Sequence, residues 1–340
     1  MGIKRLIAIA VAAVSVFALA QGAGLGSVSP QAARAAAAWP GTTGLSGVDG
    51  DPLLDAASVN AFCTWRRRAC GVAHTYTDRT SWASMTSGSG WVFENFKGFP
   101  GRLVVSQSLV PNGAHGDLAA CASGAHNQDW KNFGSLMVRK SRPDTIVRLG
   151  WEFNGTFMPW WAENTQTWMN CYRNAALGIR ATDPKAVFDW TINAHSTPGN
   201  VCGGVSTNCY PGDDVVDIVG IDDYDHYPSA ASQAQFNQIA AAPEGMTWLY
   251  TFAAAHGKKF SVGEWGVAPG SDGNTTGENP PFIQWMHDWF AAHASGMAYE
   301  NYFNNCEAGE VESNLYRPVS DDCVRQNTTA ASLYKSLFGA

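Results

Sequence analysis

Along the chain, short runs rich in Val, Ile, Phe and Tyr alternate with longer stretches in which apolar positions recur every three or four residues. The short runs predict strands over 71–77, 102–110, 145–154, 186–195, 216–224, 260–267 and 296–302. The longer stretches open on polar capping residues and predict helices over 128–140, 164–180, 232–240, 247–256, 281–294 and 328–338. An eighth strand is poorly marked and is expected before the 128–140 helix, near 118–121. Strands that alternate with helices read as βα units around a parallel sheet.

Two architectures satisfy that alternation. A doubly wound open sheet would carry a Gly-x-Gly-x-x-Gly turn after its first strand, and none follows residue 77. The expected fold is therefore α/β, a TIM (β/α)8 barrel. A barrel of about 250 residues plus insertions accounts for residues 39–340 as a single domain, since no repeat, heptad run or low-complexity linker follows Trp39.

Before that domain, Met1-Gly2-Ile3-Lys4-Arg5 leads into an apolar run over 6–20 and then a Gly, Ser, Pro and Ala stretch up to Ala38. A basic start, a short apolar run and small residues make a secretory signal. Cleavage is expected after Ala20 or as late as Ala38, so residues 1–38 are read as signal peptide and flexible segment. The apolar run is shorter than the roughly 20 residues that span a bilayer. The expectation is a secreted, extracellular protein with no membrane partner. Eight cysteines in an exported chain predict disulfides. Spacing pairs Cys63 with Cys70, Cys202 with Cys209 and Cys306 with Cys323, which leaves Cys121 for Cys171. No Cys-x2-Cys spacing or His cluster supports zinc, so neither metal nor cofactor is expected.

Charge narrows the partners. Only 15% of residues are charged, the net charge is -7, and Lys and Arg do not cluster. Nucleic acid, which is bound by a basic face, is disfavoured. The chain holds 14 Trp, 10 Tyr and 16 Phe, and aromatic faces stack on the C–H faces of sugar rings. A polysaccharide or oligosaccharide is the expected ligand, bound by a monomer.

In such a barrel chemistry sits at the C-terminal ends of the strands. Five predicted strands end in polar or acidic groups: Arg148-Leu149-Gly150-Trp151-Glu152-Phe153-Asn154-Gly155, Asp189-Trp190-Thr191-Ile192-Asn193-Ala194-His195, Asp222-Asp223-Tyr224-Asp225-His226-Tyr227, Gly263-Glu264-Trp265-Gly266 and Tyr299-Glu300-Asn301-Tyr302. Glycosidic cleavage with retention needs two carboxyls about 5–5.5 Å apart, and Glu152 with Glu264 is the candidate pair. Period-two alternation puts Arg148, Gly150, Glu152 and Asn154 on one face, with Arg148 beneath Glu152. A buried Arg there would keep the second carboxylate ionised, while that negative charge would raise the pKa of the acid. Glu300 is the rival carboxylate, without the flanking glycines of Glu264. Asp222-Asp223-x-Asp225 has part of the spacing of a calcium loop but lacks its Gly and distal Glu.

These motifs resemble glycoside hydrolase family 26. The likeness rests on Arg148-x-x-Trp-Glu152-x-Asn154-Gly155 followed by Trp160-Trp161, on Val219-Gly220-Ile221-Asp222-x-Tyr224-Asp225, and on Gly263-Glu264-Trp265-Gly266. It spans roughly residues 144–267. The family comprises retaining β-mannanases, some β-1,3-xylanases and mixed-linkage glucanases, on a barrel with the acid/base ending the fourth strand and the nucleophile ending the seventh. The resemblance implies that Glu152 is acid/base, Glu264 nucleophile and Tyr224 the hydroxyl orienting it. It also implies that Asp222 fills an acidic position on the sixth strand and that Trp160 and Trp161 line the cleft.

Where the family has His immediately before the acid/base, this chain has Trp151, whose indole offers one donor. Trp151 and Asn154 are nonetheless read as substrate contacts. His74, Tyr76, Trp190, His195, Trp265, Tyr299 and Tyr302 are further candidates for the cleft. β-1,4-Mannan is the leading substrate of an endo-acting hydrolase, ahead of β-1,3-xylan, mixed-linkage glucan and bacterial exopolysaccharide. The competing reading, prompted by Trp151, is a secreted carbohydrate-binding protein without catalysis. An esterase is disfavoured because no Gly-x-Ser-x-Gly elbow joins a strand to a helix.

Overall fold

Eight parallel strands pair in chain order, and the eighth returns to the first to close a barrel. They are β1 (Leu45–Asp49), β2 (Val72–Tyr76), β3 (Arg102–Gln107), β4 (Ile146–Leu149), β5 (Val187–Asn193), β6 (Ile218–Tyr224), β7 (Lys259–Gly266) and β8 (Met297–Phe303). This is the expected TIM barrel. The computed structural model describes residues 45–50 and 54–339, so the expected signal segment 1–38 lies outside the described residues.

Helices connect the strands on the outside. α1 (Ala56–Arg66), α2 (Trp82–Met85), α3 (Gly90–Asn95), α4 (Leu118–Ala122), α5 (Asn127–Arg139) and α6 (Thr165–Thr182) serve the first half of the barrel. α7 (Gln233–Ala241), α8 (Met246–Ala255), α9 (Pro280–His293) and α10 (Thr328–Phe338) serve the second. Their starts are legible as caps: Asp55 accepts from Ser58 N at α1, Asn164 from Thr167 N at α6, and Ser232 from Gln235 N at α7. Among the described residues no helix is long and apolar enough to cross a membrane.

The expected strand near 118–121 is instead the helix α4. The missing strand is β1, in which Leu45-Ser46-Gly47-Val48-Asp49 has too few apolar residues to read as one. Its inward position Gly47 is bare because a Cβ there would meet Val72 O at 2.0 Å and Asn301 Oδ1 at 2.6 Å. Numbering from β1 places His74 and Tyr76 on β2. β4 is also shorter than predicted. It ends at Leu149, and Gly150 (φ 59°) and Glu152 (φ 54°) are left-handed, so the period-two face from Arg148 to Asn154 does not exist.

Inward positions fill the barrel in layers. Val72, Val104, Ile146, Ile218 and Tyr299 make a small apolar plug at the N-terminal ends of the strands. Polar groups lie above it: Asp189 accepts from Thr191 Oγ1 (2.9 Å), Ser261 Oγ (2.7 Å) and Tyr299 OH (2.5 Å). Outward positions such as Val105, Val147, Trp190, Ile221, Val262 and Trp265 pack against the helices in one continuous core.

β7 carries one extra residue. Ile221 pairs with Val262, but the next residue, Asp222, pairs with Glu264, so Gly263 is bulged out of the count. Strict alternation from the inward Ser261 would turn Glu264 toward the helices. The bulge turns it into the barrel mouth.

Four disulfides form, with the partners that spacing predicted: Cys63–Cys70, Cys121–Cys171, Cys202–Cys209 and Cys306–Cys323. Cys121–Cys171 ties α4 to α6 across 50 residues of sequence, whereas Cys63–Cys70 spans 7. Loop-closure entropy makes the former worth about 4 kcal/mol and the latter about 2 kcal/mol. Replacing each pair by Ser is therefore expected to lower the unfolding free energy more for Cys121 and Cys171, as read by guanidinium denaturation.

Candidate active site

Arg148 is the last inward residue of β4 and is wholly buried. Its guanidinium is held from several strands at once. Nη1 donates to Glu264 Oε1 (2.8 Å) on β7 and to Ser106 Oγ (2.9 Å) on β3, and Nη2 donates to Asp222 Oδ2 on β6. Nη1 also lies 3.0 Å from His74 Nε2. Both Nη1 hydrogens are taken by Glu264 and Ser106, and Ser106 Oγ, 2.7 Å from Nε2, has its own hydrogen left to donate, so the network assigns Nε2 as acceptor and Nδ1 as the protonated nitrogen. Nδ1 faces Asp49 Oδ2 at 2.5 Å.

Glu264 is surrounded by donors. Oε1 receives Arg148 and Tyr76 OH (2.9 Å), and Oε2 receives Tyr224 OH (2.8 Å). Burial works against its ionisation, but the charge of Arg148 leads the groups that outweigh it, and the carboxyl is held below its ordinary value of 4.5.

Glu152 reaches the same space from the turn after β4. Gly150 N donates to Gln107 O on β3 and Glu152 N to Thr191 O on β5, which anchors the turn between the two strands that flank β4. Gly150 is required there, because its φ is positive and a Cβ would meet Leu109 at 2.8 Å. Glu152 Oε1 accepts from Asn193 Nδ2 (2.7 Å). Asn193 is itself pinned, since Asn154 Oδ1 accepts from its backbone N and Asn154 Nδ2 donates to its O. With one neutral donor, Glu152 is pushed up to about 8, by burial first and by the negative charge of Glu264 second. One oxygen each from Glu152, Asp222 and Glu264 lie within 4.8 Å of one another.

Residues 138–261, which include Arg148, Glu152, Asp222 and Tyr224 but stop short of Glu264, match one family model. It is Glycosyl hydrolase family 26. By structure the chain is similar to a double mutant of the Cellulomonas fimi endo-β-1,4-mannanase, with a TM-score of 0.61 and 17% identity over 87% of this chain and 71% of that one. It is similar to the family 26 β-mannanase of Bacteroides ovatus (TM-score 0.51, 14% identity, 87% and 85% of the two chains). Fungal β-1,4-galactanases are similar too (TM-score 0.55, 11% identity, 85% and 98%). Identities this low speak for the fold. No curated protein matches the chain.

The structure brings together Glu152, Glu264, Arg148, Asp222 and Tyr224 from the family 26 expectation, and with them His74, one of the further candidates for the cleft. Trp151 borders them, buried, with Tyr76 at 5.6 Å and the Arg79 guanidinium 5.7 Å above its ring. Trp161 is half-buried and stacked on His115 at 5.1 Å.

Other expected contacts are not brought to the cleft. Asn154 is wholly buried and holds Asn193. Trp160 is wholly buried behind Trp151, donating to its carbonyl at 2.7 Å. Trp190 packs outward on Phe153 and Tyr210, Trp265 outward on Phe290 and Tyr302, and Tyr302 OH is bonded to Ser313 O. Tyr299 lies low in the barrel on Asp189. Glu300, the rival carboxylate, accepts from Trp265 Nε1 on the outer side of the strands.

Three residues of the site escaped the sequence reading: Asp49, Ser106 and Asn193. Asn193 had a usable signal, since Asp189, Thr191 and Asn193 alternate along β5. Asp49 had none, because its strand was not legible.

The oxygens of Glu152, Asp222 and Glu264 are close enough to hold a cation. Arg148 already supplies the positive charge there, bonded to two of the three. The guanidinium occupies room left by Gly263, where a Cβ would lie 2.6 Å from Arg148 Nε and 2.7 Å from Cζ. Gly263→Ala is therefore expected to cost about 1–3 kcal/mol of stability in urea denaturation. Gly116→Ala, where a Cβ meets nothing within 4 Å, serves as the unchanged control.

Proposed function

We propose that this chain is a secreted glycosidase that hydrolyses a β-linked polysaccharide with retention, using Glu152 as general acid/base and Glu264 as nucleophile. The observation that carries the reading is the pairing of opposite protonation with short distance. Oxygens of the two carboxyls come within 4.8 Å, close to the roughly 5–5.5 Å of retaining enzymes and short of the roughly 6.5–9.5 Å that leaves room for water in inverting ones.

The hydrogen bonds divide the labour further. Oε1 of Glu264 accepts from Arg148 and shares the Tyr76 hydrogen with Asp49, so both of its lone pairs face donors; Oε2 accepts from Tyr224 and keeps one free. Oε2 is thus the atom that attacks the anomeric carbon. The leaving oxygen departs with the bonding electrons and takes the proton of Glu152. Once Glu264 is an ester its charge is gone, and with it one of the causes that hold the pKa of Glu152 up. Glu152 then becomes the base that activates water for the second displacement.

β-1,4-Mannan is the first substrate to test, since similar folds include mannanases, with β-1,4-galactan, β-1,3-xylan, mixed-linkage glucan and exopolysaccharide beside it. Two exposed aromatic rings, Phe157 after β4 and Tyr227 after β6, favour endo-acting capture of a long chain. Reducing-sugar release from this panel that disappears in Glu152→Ala and Glu264→Ala would support the assignment. Binding without release from any glycan would sink it in favour of a non-catalytic carbohydrate-binding protein, and an inverted product by NMR would reject the nucleophile.

The pH dependence has a defined sign. Glu152 must carry a proton, so kcat/KM is expected to fall as pH rises through about 8. Glu264 must be ionised, so the acid limb is expected below pH 4.5. With an aryl glycoside whose leaving group needs no proton, Glu152→Gln is expected to keep the acid limb and lose the alkaline one.

A further inference from the structure

Tyr76 has one hydroxyl hydrogen and two carboxylates to give it to. Its oxygen lies 2.5 Å from Asp49 Oδ2 and 2.9 Å from Glu264 Oε1. Both acceptors are nearly closed to water, and Asp49 and Tyr76 belong to adjacent strands, β1 and β2. The other ties of Asp49 are fixed. Oδ1 accepts from Gly50 N (2.6 Å) and Oδ2 faces His74 Nδ1 (2.5 Å), whose ring is clamped at Nε2 by Ser106 (2.7 Å) and Arg148. The carboxylate of Asp49 is therefore an immobile acceptor, and the phenol is the part that can turn. Burial first, and then the charges of Asp49 and Glu264, push the Tyr76 phenol well above its ordinary value, so it stays protonated throughout.

We infer that Asp49 and Tyr76 form a hydrogen-bond toggle that adjusts Glu264 between its two roles, with Asp49 as the positioning residue. The inference rests on the hydrolase reading above. When Glu264 attacks, its negative charge passes into a neutral ester and Oε1 becomes a weaker acceptor. The Tyr76 hydrogen then turns fully to Asp49, whose charge is unchanged. When water displaces the sugar, the electron pair of the anomeric C–O bond returns to Glu264, and the hydrogen turns back to stabilise the departing carboxylate. No proton leaves the phenol at either step. Asp49 thus helps the nucleophile by drawing the hydrogen away, and Tyr76 helps the leaving group by returning it.

The two residues should therefore have opposite effects on the two chemical steps. Tyr76→Phe removes the hydrogen: deglycosylation is expected to slow about tenfold, the worth of a hydrogen bond to a charged group, while glycosylation is spared. Asp49→Asn replaces the competing charge by a neutral amide of the same shape and leaves the hydrogen on Glu264. Glycosylation is then expected to slow by a similar factor and deglycosylation to be spared.

Dinitrophenyl glycosides separate the steps, since kcat reports deglycosylation and kcat/KM glycosylation, and intact-mass spectrometry measures the accumulated glycosyl-enzyme. More ester than wild type in Tyr76→Phe and less in Asp49→Asn would establish the toggle. Equal loss in both steps, or a shift in the same direction in both variants, would make the pair a structural brace and overturn it. A wild-type protein that forms no ester on Glu264 from any such glycoside would overturn the hydrolase reading itself, and the toggle with it.

Discussion

The barrel mouth is organised by one buried guanidinium. Withdrawing a charge of that size from water costs several kcal/mol unless it is paired and hydrogen-bonded, and Arg148 meets that demand with Glu264, Asp222, Ser106 and His74 drawn from four other strands. Each partner is in turn constrained. Gly263 must lack a side chain for the guanidinium to fit beside β7, and the extra residue it adds to that strand is what turns Glu264 inward. A local need for space and a functional need for direction are satisfied by the same glycine.

The same charge separates two residues of identical type. Glu152 and Glu264 are almost equally buried, at 7% and 6% exposure, so burial alone would raise both. The difference lies in what donates to them. Glu264 has a guanidinium and two phenols; Glu152 has one amide from Asn193. Because charge on Glu264 opposes charge on Glu152, the stabilisation of one anion reinforces the neutrality of the other. Which carboxyl keeps its proton and which is ionised is thus set by neighbours on β2, β4, β5 and β6 rather than by the two glutamates themselves.

The alternation of strand and helix was legible because seven strands carry enough Val, Ile, Phe and Tyr to mark them. β1 was not, since a glycine at its centre replaces the side chain that would reveal it, and Asp49 went unseen with it. The strand ends misled in a different way. Residues 148–154 look like a continued strand, yet Gly150 and Glu152 adopt left-handed φ, and the reach of Glu152 depends on that turn. Period-two parity also contained unused information: with Asp189, Thr191 and Asn193 inward, Trp190 had to face the helices. On β7, parity fails at Gly263, and nothing but a glycine before the acid hints at the bulge.

Most of the large aromatic side chains serve the core rather than a ligand. Fourteen tryptophans in a weakly charged chain read as material for a sugar groove, yet Trp130, Trp160, Trp168, Trp190 and Trp265 are wholly buried. They fill the layer between barrel and helices, where outward strand positions meet two rows of helix side chains and large flat residues close the gaps. Trp160 and Trp168 go further and form a ladder behind the turn after β4, each donating to the carbonyl of the tryptophan before it in that ladder, from Trp168 to Trp160 to Trp151. Their indoles brace the segment that carries Glu152. Rings open to solvent near the mouth are few, and two of them, Phe157 and Tyr227, lie on glycines that have no side chain to lift them, Gly155 and Gly273. In this barrel most of the largest aromatics belong to the core between strands and helices, and parity and exposure decide which of the rest a ligand can touch.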